Sequence, residues 1–175
     1  PAPAHVHLTG FAEASQLHKC CVRYCDGFDD YVISKVAPRH TVQFPTQKIV
    51  FLTPDSPNPL RELDLDKVYV LGGLVDESIL LQKTLTTAQN ESIETARLPI
   101  TEHADKIATK VSQVLAINQV FEILMSKHNG NDWPTALAPV LPPRKGFVVG
   151  GADAEVIVRA DGMVQLVENK PTGSA

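Results

Sequence analysis

The chain has 175 residues, about one domain's worth at a typical ~150 residues per domain. Lys plus Arg is 16 against 20 Asp plus Glu, a net charge of −4, with 43% hydrophobic, 21% charged and 6% aromatic residues. That composition buries a real core, excludes a disordered chain, and argues against a protein that holds nucleic acid by net charge alone. No apolar run approaches the ~18 residues of a membrane span, so no membrane association is expected.

The chain starts Pro1-Ala2-Pro3-Ala4 without an initiator Met. The expectation is a trimmed N-terminus, with any targeting signal lost, and no signal peptide, since neither a basic region nor a long apolar stretch is present. In chain order, His5–Thr9, Ile49–Thr53, Val68–Leu71 and Thr95–Leu98 read as strands. The second and third are continuous in Ile, Val, Phe, Leu and Tyr, as expected of parallel strands buried on both faces. Helix candidates lie between them at Ala12–Tyr24, Leu60–Leu63 (one turn) and Thr86–Glu91. Strands alternating with helical connections indicate an α/β fold with a parallel sheet.

Cys20, Cys21 and Cys25 form one cluster with His18. An odd count excludes a fully paired disulfide set, and no second CxxC half accompanies it. Three zinc ligands are conceivable, but small hydrophobes packed on a helix fit better, in a reducing compartment, and no metal is expected. His5 and His7 share a strand face as a solvated or packed pair.

From Glu102 to His128 the pattern is ambiguous. Ile107, Val111, Val114, Ile117, Phe121 and Leu124 recur every three or four residues and would draw one long helix. Asn118 makes a better N-cap than a helix interior residue, so the alternative is a loop through Leu115–Ile117 and a helix from Asn118 to Asn129-Gly130. Asp132 then caps a last short helix with Pro134 in its first turn. Beyond Pro139, Pro142 and Pro143, Glu155–Arg159 and Met163–Glu168 flank Asp161-Gly162, which signals a β-hairpin; a mobile tail is the alternative, and is expected from Pro171 onward.

Ligands of open α/β sheets bind at the carboxyl ends of the strands. After Ile49–Leu52 comes Thr53-Pro54-Asp55-Ser56-Pro57-Asn58-Pro59, a proline-stiffened loop that is a rigid turn as often as a site. After Val68–Leu71 comes Gly72-Gly73-Leu74-Val75-Asp76, where glycines permit close approach of a ligand or simply make a turn, and Asp76 lies just beyond. After Thr95–Leu98 comes Pro99. There is no GxGxxG, P-loop, HExxH or Ser-His-Asp signature, so a nucleotide-binding oxidoreductase has no fingerprint here.

At these loops the chain resembles one family. Leu52-Thr53-Pro54-Asp55-Ser56-Pro57-Asn58, Gly72-Gly73-Leu74-Val75-Asp76, Thr95-Ala96-Arg97-Leu98-Pro99-Ile100 and Asn118-Gln119-Val120-Phe121-Glu122-Ile123-Leu124 look like motifs of the tRNA guanine-9 N1-methyltransferases, the monomeric branch of the SPOUT class. Order and spacing agree over residues 5–147, and Asn131-Asp132-Trp133 with Pro143-Arg144-Lys145-Gly146 fits the family's C-terminal end. Asp76-Glu77-Ser78-Ile79 and Ile117-Asn118-Gln119 look most like the B-type animal paralogue.

The resemblance implies an α/β SPOUT domain over residues 1–147 with a C-terminal trefoil knot, followed by an extension over 148–175, hairpin then tail. It implies S-adenosyl-L-methionine bound by backbone of Leu52, Thr53, Gly72, Gly73, Leu98, Leu115, Ala116, Ile117 and Asn118, with Asn118 opening the threaded helix. Asp76 matches the proposed proton acceptor for guanine N1. The implied partner is tRNA, with the target base exposed for reaction and Arg97, Lys83, Arg144 and Lys145 as phosphate contacts. A monomer acting inside the cell, in nucleus or cytoplasm, is implied, with no metal.

The sequence departs from the family pattern in three places. The strand and helix that usually precede His5–Thr9 are missing, residues between Asp76 and Arg97 are less basic than usual, and the tail after Phe147 follows no family pattern. A different class of function, a non-catalytic RNA- or partner-binding module that keeps the cofactor pocket, is the alternative expectation.

Overall fold

The structure is a computed structural model and describes residues 3–72, 82–106, 114–141, 147–149, 154–158 and 164–168. The chain forms two compact units, Pro1–Ser56 with Asp64–Ala96, and Pro57–Leu63 with Arg97–Ala175.

In the first unit, β1 (His7–Thr9) pairs in parallel with β2 (Ser34–Val36), Leu8 opposite Lys35. The connection between them carries helix α1 (Gln16–Tyr24). This helix starts four residues later than its apolar spacing suggests, because Ala14 sits at φ 57° and the Ser15 hydroxyl accepts the His18 N–H at 3.1 Å as N-cap. No residue of α1 is buried. The packing lies beneath it instead, where the Phe11, His18 and Phe28 rings meet edge to face or tilted and the Lys35 ammonium lies 5.0 Å above Phe28. Strand β2 has no apolar run of its own to announce it, which is why the sequence conceals it.

A short helix α2 (His40–Gln43) leads into the central sheet. There β3 (Ile49–Leu52) lies between β4 (Val68–Leu71) and β5 (Glu94–Ala96), all parallel, in the order β4-β3-β5. Every residue of β3 is buried, as its unbroken apolar run requires of a central parallel strand. Leu52 is paired with Leu71 on one side and Ala96 on the other, so the three strands end level. Helix α3 (Lys83–Asn90) returns the chain from β4 to β5. Ala88 joins Ile49, Phe51 and Ile93 in a buried cluster, with Phe44 and Val70 packed against it. At its margin, burial holds the His40 imidazole below its ordinary pKa; Glu91, whose carboxylate lies 3.8 Å away, opposes that shift, and Arg39 adds to it.

In the second unit, Leu60–Leu63 forms no helical turn. Leu60 N–H donates to the Arg97 carbonyl (2.8 Å), Arg97 N–H to Asn58 (2.8 Å), and the Trp133 indole to the Arg61 carbonyl (2.5 Å), so this strand-like segment's hydrogen bonds are lateral and not helical. Helix α4 (Ile100–His103) is followed by β6 (Ala104–Lys106), and helix α5 spans Ile117–His128. Of the two readings of this region, the one with a separate later helix is nearer, since Ala104–Lys106 is a strand and loop at 114–116 precedes α5. The helix starts at Ile117 and the N-cap is Ala116, not Asn118; residues 107–113 lie outside the described residues. Ala116 is the N-cap residue and has no side-chain acceptor; Gln119 reaches back to take the Ala116 N–H at 3.0 Å. The C-terminus closes with Asn129 N–H on the Met125 carbonyl and Gly130 at φ 94°.

Helix α6 (Trp133–Leu137) begins as its sequence suggests, with the Asp132 carboxylate accepting the Thr135 N–H at 2.9 Å and Pro134 in the first turn. It packs against α5 and α4. Strand β7 (Phe147–Val149) pairs antiparallel with β6, and β8 (Ala154–Val158) pairs antiparallel with β9 (Val164–Glu168). No helix among the described residues is long and apolar enough to cross a membrane.

Leu137 is fully buried, whereas Val32 is fully exposed. Leu137→Ala is expected to cost about 2–5 kcal/mol in urea unfolding, while Val32→Ala stays within about 0.5 kcal/mol. Equal effects of the two would contradict the assigned core.

Candidate functional site

The level ending of β3, β4 and β5 sets three exits from one sheet edge. At the first, the ladder runs one residue past β3, with Thr53 N–H donating to the Ala96 carbonyl at 2.9 Å. The chain then turns on Pro54, and Ser56 N–H donates to the Thr53 carbonyl at 3.2 Å. The Thr53 hydroxyl accepts the Asp55 N–H at 3.3 Å. Thr53's own N–H is thus committed within the protein, and its carbonyl keeps one further lone pair. Leu52 is buried in the sheet.

Thr53, Ser56 and Thr95 are the buried polar residues among those described, none more than 9% exposed. The Ser56 and Thr95 hydroxyls share a hydrogen bond of 3.0 Å across the end of the sheet. Asp55 faces the other way, its carboxylate accepting the Gln82 N–H at 3.2 Å at the start of α3, where a negative charge is favoured. These three roles are absent from the motif reading of the loop. Hydroxyls flanking a proline turn beside a strand threonine are the only sequence signal for them.

At the second exit, Gly72 is exposed directly after β4. A Cβ added there would meet Thr84 Oγ1 at 3.8 Å, an ordinary contact, and the backbone is not left-handed. Nothing within the described residues demands a glycine at this position. Gly73 and Asp76 lie outside the described residues, as do Arg144 and Lys145. Lys83 is exposed at the first position of α3.

The remaining candidates belong to the second unit. Leu98 is buried, and its carbonyl accepts the Ile100 N–H at 2.8 Å. Leu115 is half-buried before α5, Ala116 is exposed, and Ile117 and Asn118 are exposed in its first turn. Arg97 is bound locally. Its guanidinium donates to Glu102 through both terminal nitrogens at 2.9 and 2.7 Å, and to the Thr101 hydroxyl at 3.3 Å. The planar fork matches the carboxylate, and this hydrogen bonding to Arg97 holds Glu102 at a pKa of about 2. Arg97 is raised above its ordinary value, chiefly by the same bond.

The cysteines are free thiols, Cys20 and Cys21 partly buried and Cys25 exposed. Both His18 nitrogens are engaged, Nδ1 accepting the Ala14 N–H at 3.0 Å and Nε2 bonding the Asp29 carboxylate at 2.9 Å. His7 packs against Phe44 with ring centroids 5.2 Å apart.

The family model for tRNA (guanine(9)-N(1))-methyltransferase TRM10/TRM10A matches residues 1–146. Among curated relatives, tRNA methyltransferase 10 homolog B of Rattus norvegicus is 44% identical over 150 residues, covering 84% of this chain and 48% of the relative. The Homo sapiens homolog B is 42% identical with the same coverages, and homolog A of Bos taurus is 35% identical over 147 residues, covering 83% of this chain and 42% of the relative. The chain spans about half the length of the curated relatives it matches. Among solved structures, the crystal structure of full-length spTrm10 in complex with SAH aligns at a TM-score of 0.66 and 29% identity, over 78% of this chain and 72% of that one.

The Arg97–Glu102 pair makes a pH prediction. The folded pKa of Glu102 is depressed, so its stabilisation is complete above the ordinary value of 4.5 and is lost as pH falls toward about 2. Glu102 is 36% exposed, and solvent screening reduces the benefit to about 1 kcal/mol or less. Glu102→Gln should lower the urea midpoint at pH 7, and the gap from wild type should close by pH 2–3. A gap of constant size across that range would refute the pairing.

Proposed function

Because the chain belongs to the tRNA (guanine(9)-N(1))-methyltransferase TRM10/TRM10A family, we propose that it takes part in S-adenosyl-L-methionine-dependent methylation of guanine N1 at the ninth nucleotide of tRNA. The observation that carries this reading is the family match across residues 1–146, over a parallel sheet whose strands β3, β4 and β5 end level at the family's motif loops.

The residues at the sheet edge suit such a cofactor. Among the described residues a Cβ at Gly72 would make only an ordinary contact with Thr84 Oγ1 at 3.8 Å, so close approach of a ligand to the backbone is a fitting reason for the glycine. The Thr53 carbonyl keeps one lone pair as an acceptor. When bound, the cofactor supplies an electrophilic methyl group on a sulfonium. The chain's task is to hold guanine N1 in line with that group and to accept or retain the N1 proton, which we assign to Asp76. A cofactor sulfonium beside Asp76 would favour its ionised form and weaken it as a base, so placement and exclusion of water would contribute more than basicity.

Leu115, Ala116, Ile117 and Asn118 complete the proposed cofactor contacts, with Gly73 beside Gly72. The finer fold is part of the same reading: a trefoil knot in which α5 threads a loop, a hairpin through Asp161-Gly162 joining β8 to β9, and a monomer in solution. For tRNA, Lys83, Arg97, Arg144 and Lys145 are the proposed phosphate contacts.

Two variants test the reading. Asp76→Asn should reduce single-turnover methyl transfer to tRNA by about a hundredfold or more while S-adenosylhomocysteine affinity stays within a few-fold; unchanged turnover removes Asp76 from the reaction. Gly72→Ala should leave the thermal midpoint unchanged or slightly raised, yet weaken S-adenosylhomocysteine binding by about tenfold or more. Wild-type affinity in calorimetry would show that no ligand approaches Gly72.

A further inference from the structure

The buried polar residues Thr53, Ser56 and Thr95 gather at the edge where β3 and β5 end. Burying hydroxyls costs free energy unless they are bonded, and the remainder of the described core is apolar. Their positions follow a pattern. Thr95 is paired in register with Phe51, one residue before the level strand ends, and the Pro54 turn folds Ser56 back so that the two hydroxyls meet at 3.0 Å. The same turn is held by Thr53 N–H on the Ala96 carbonyl and by Ser56 N–H on the Thr53 carbonyl. Its tip is held by the Gln82 N–H on the Asp55 carboxylate. The backbone bonds fix the turn's shape. The hydroxyl pair ties the turn's last residue to a side chain of β5.

We propose that the Ser56–Thr95 hydroxyl pair is a latch that positions the Leu52–Ser56 turn for cofactor binding, making Ser56 and Thr95 positioning residues for the nucleoside ligand. The inference rests on the methyltransferase reading above and deepens it. A turn free to tilt presents the second lone pair of the Thr53 carbonyl in a range of directions, and a ligand must then order it at a cost in affinity. A simple stabilising role is separable from this one. Removing either hydroxyl removes the same bond, so the two changes should not add in ligand affinity, whereas Thr95→Ser keeps the hydroxyl and with it the bond.

The test uses the whole chain and calorimetry with S-adenosylhomocysteine beside urea unfolding. Thr95→Val should lower both the urea midpoint and the ligand affinity, the latter about tenfold. Ser56→Ala combined with Thr95→Val should bind as weakly as Thr95→Val alone, since both changes remove the same bond. Thr95→Ser should restore wild-type affinity. A folded double variant that binds within twofold of wild type overturns the latch, and so does weak binding by Thr95→Ser. Failure of the wild-type chain itself to bind would instead remove the methyltransferase reading, and the latch with it.

Discussion

The parallel pairing of β3 with both β4 and β5, in a register that ends all three strands level, is the constraint on which the rest depends. Parallel strands need crossovers that carry the chain back to the starting edge, so their carboxyl ends share one edge and their exits emerge together. β3 contributes four buried residues and no polar side chain of its own. The polar accounting therefore falls on the exits, where peptide groups leave the ladder and must find other partners. Thr53 solves this by extending the ladder one residue, and the proline turn then satisfies its carbonyl locally. Chemistry at such an edge is a consequence of the sheet: its interior has no groups to spare, and the exits have several.

The elements legible in the sequence are those whose signal is local. The continuous apolar runs Ile49–Leu52 and Val68–Leu71 are strands, and Asp132 with Pro134 starts a helix, because burial on both faces and N-terminal capping are written into adjacent residues. Asn129-Gly130 ends α5 for the same reason. β2 was hidden because three residues, two of them polar, become a strand only through pairing with β1. Leu60–Leu63 misled in the opposite direction: its leucine spacing suits a helical turn, but Arg97 and Trp133, distant in sequence, capture its backbone. The start of α1 slipped from Ala12 to Gln16 because apolar spacing does not register a left-handed Ala14 ahead of a serine cap.

The candidate site was legible at the level of loops and not of contacts. Gly and Pro at the exits of β3 and β4 mark where a backbone could be approached, and among the described residues no steric reason requires Gly72 to be a glycine. The use of Asp55 as an acceptor at the head of α3 could not be read from its motif, since it depends on Gln82, 27 residues further on. The same holds for Ser56 and Thr95, separated by 39 residues. Motif reading identifies residue types that suit a chemistry; the partners that orient them are set by the sheet.

Several cations among the described residues are held in ion pairs. Arg39 pairs with Glu91, Lys67 with Glu94, Arg97 with Glu102 and Lys127 with Glu62. A cation already held by a carboxylate has fewer counterions to release on meeting phosphate, so it adds less to the salt-dependent affinity for a polyanion than an unpaired one. Under the methyltransferase reading, Arg97 can meet phosphate through guanidinium N–H groups that Glu102 does not take, or by exchanging Glu102 for phosphate, which leaves that carboxylate to be rehydrated or repaired elsewhere. At 36% exposure Glu102 can meet water without burial cost, so the exchange is open, though its gain is the difference between two bidentate partners and not the full value of one.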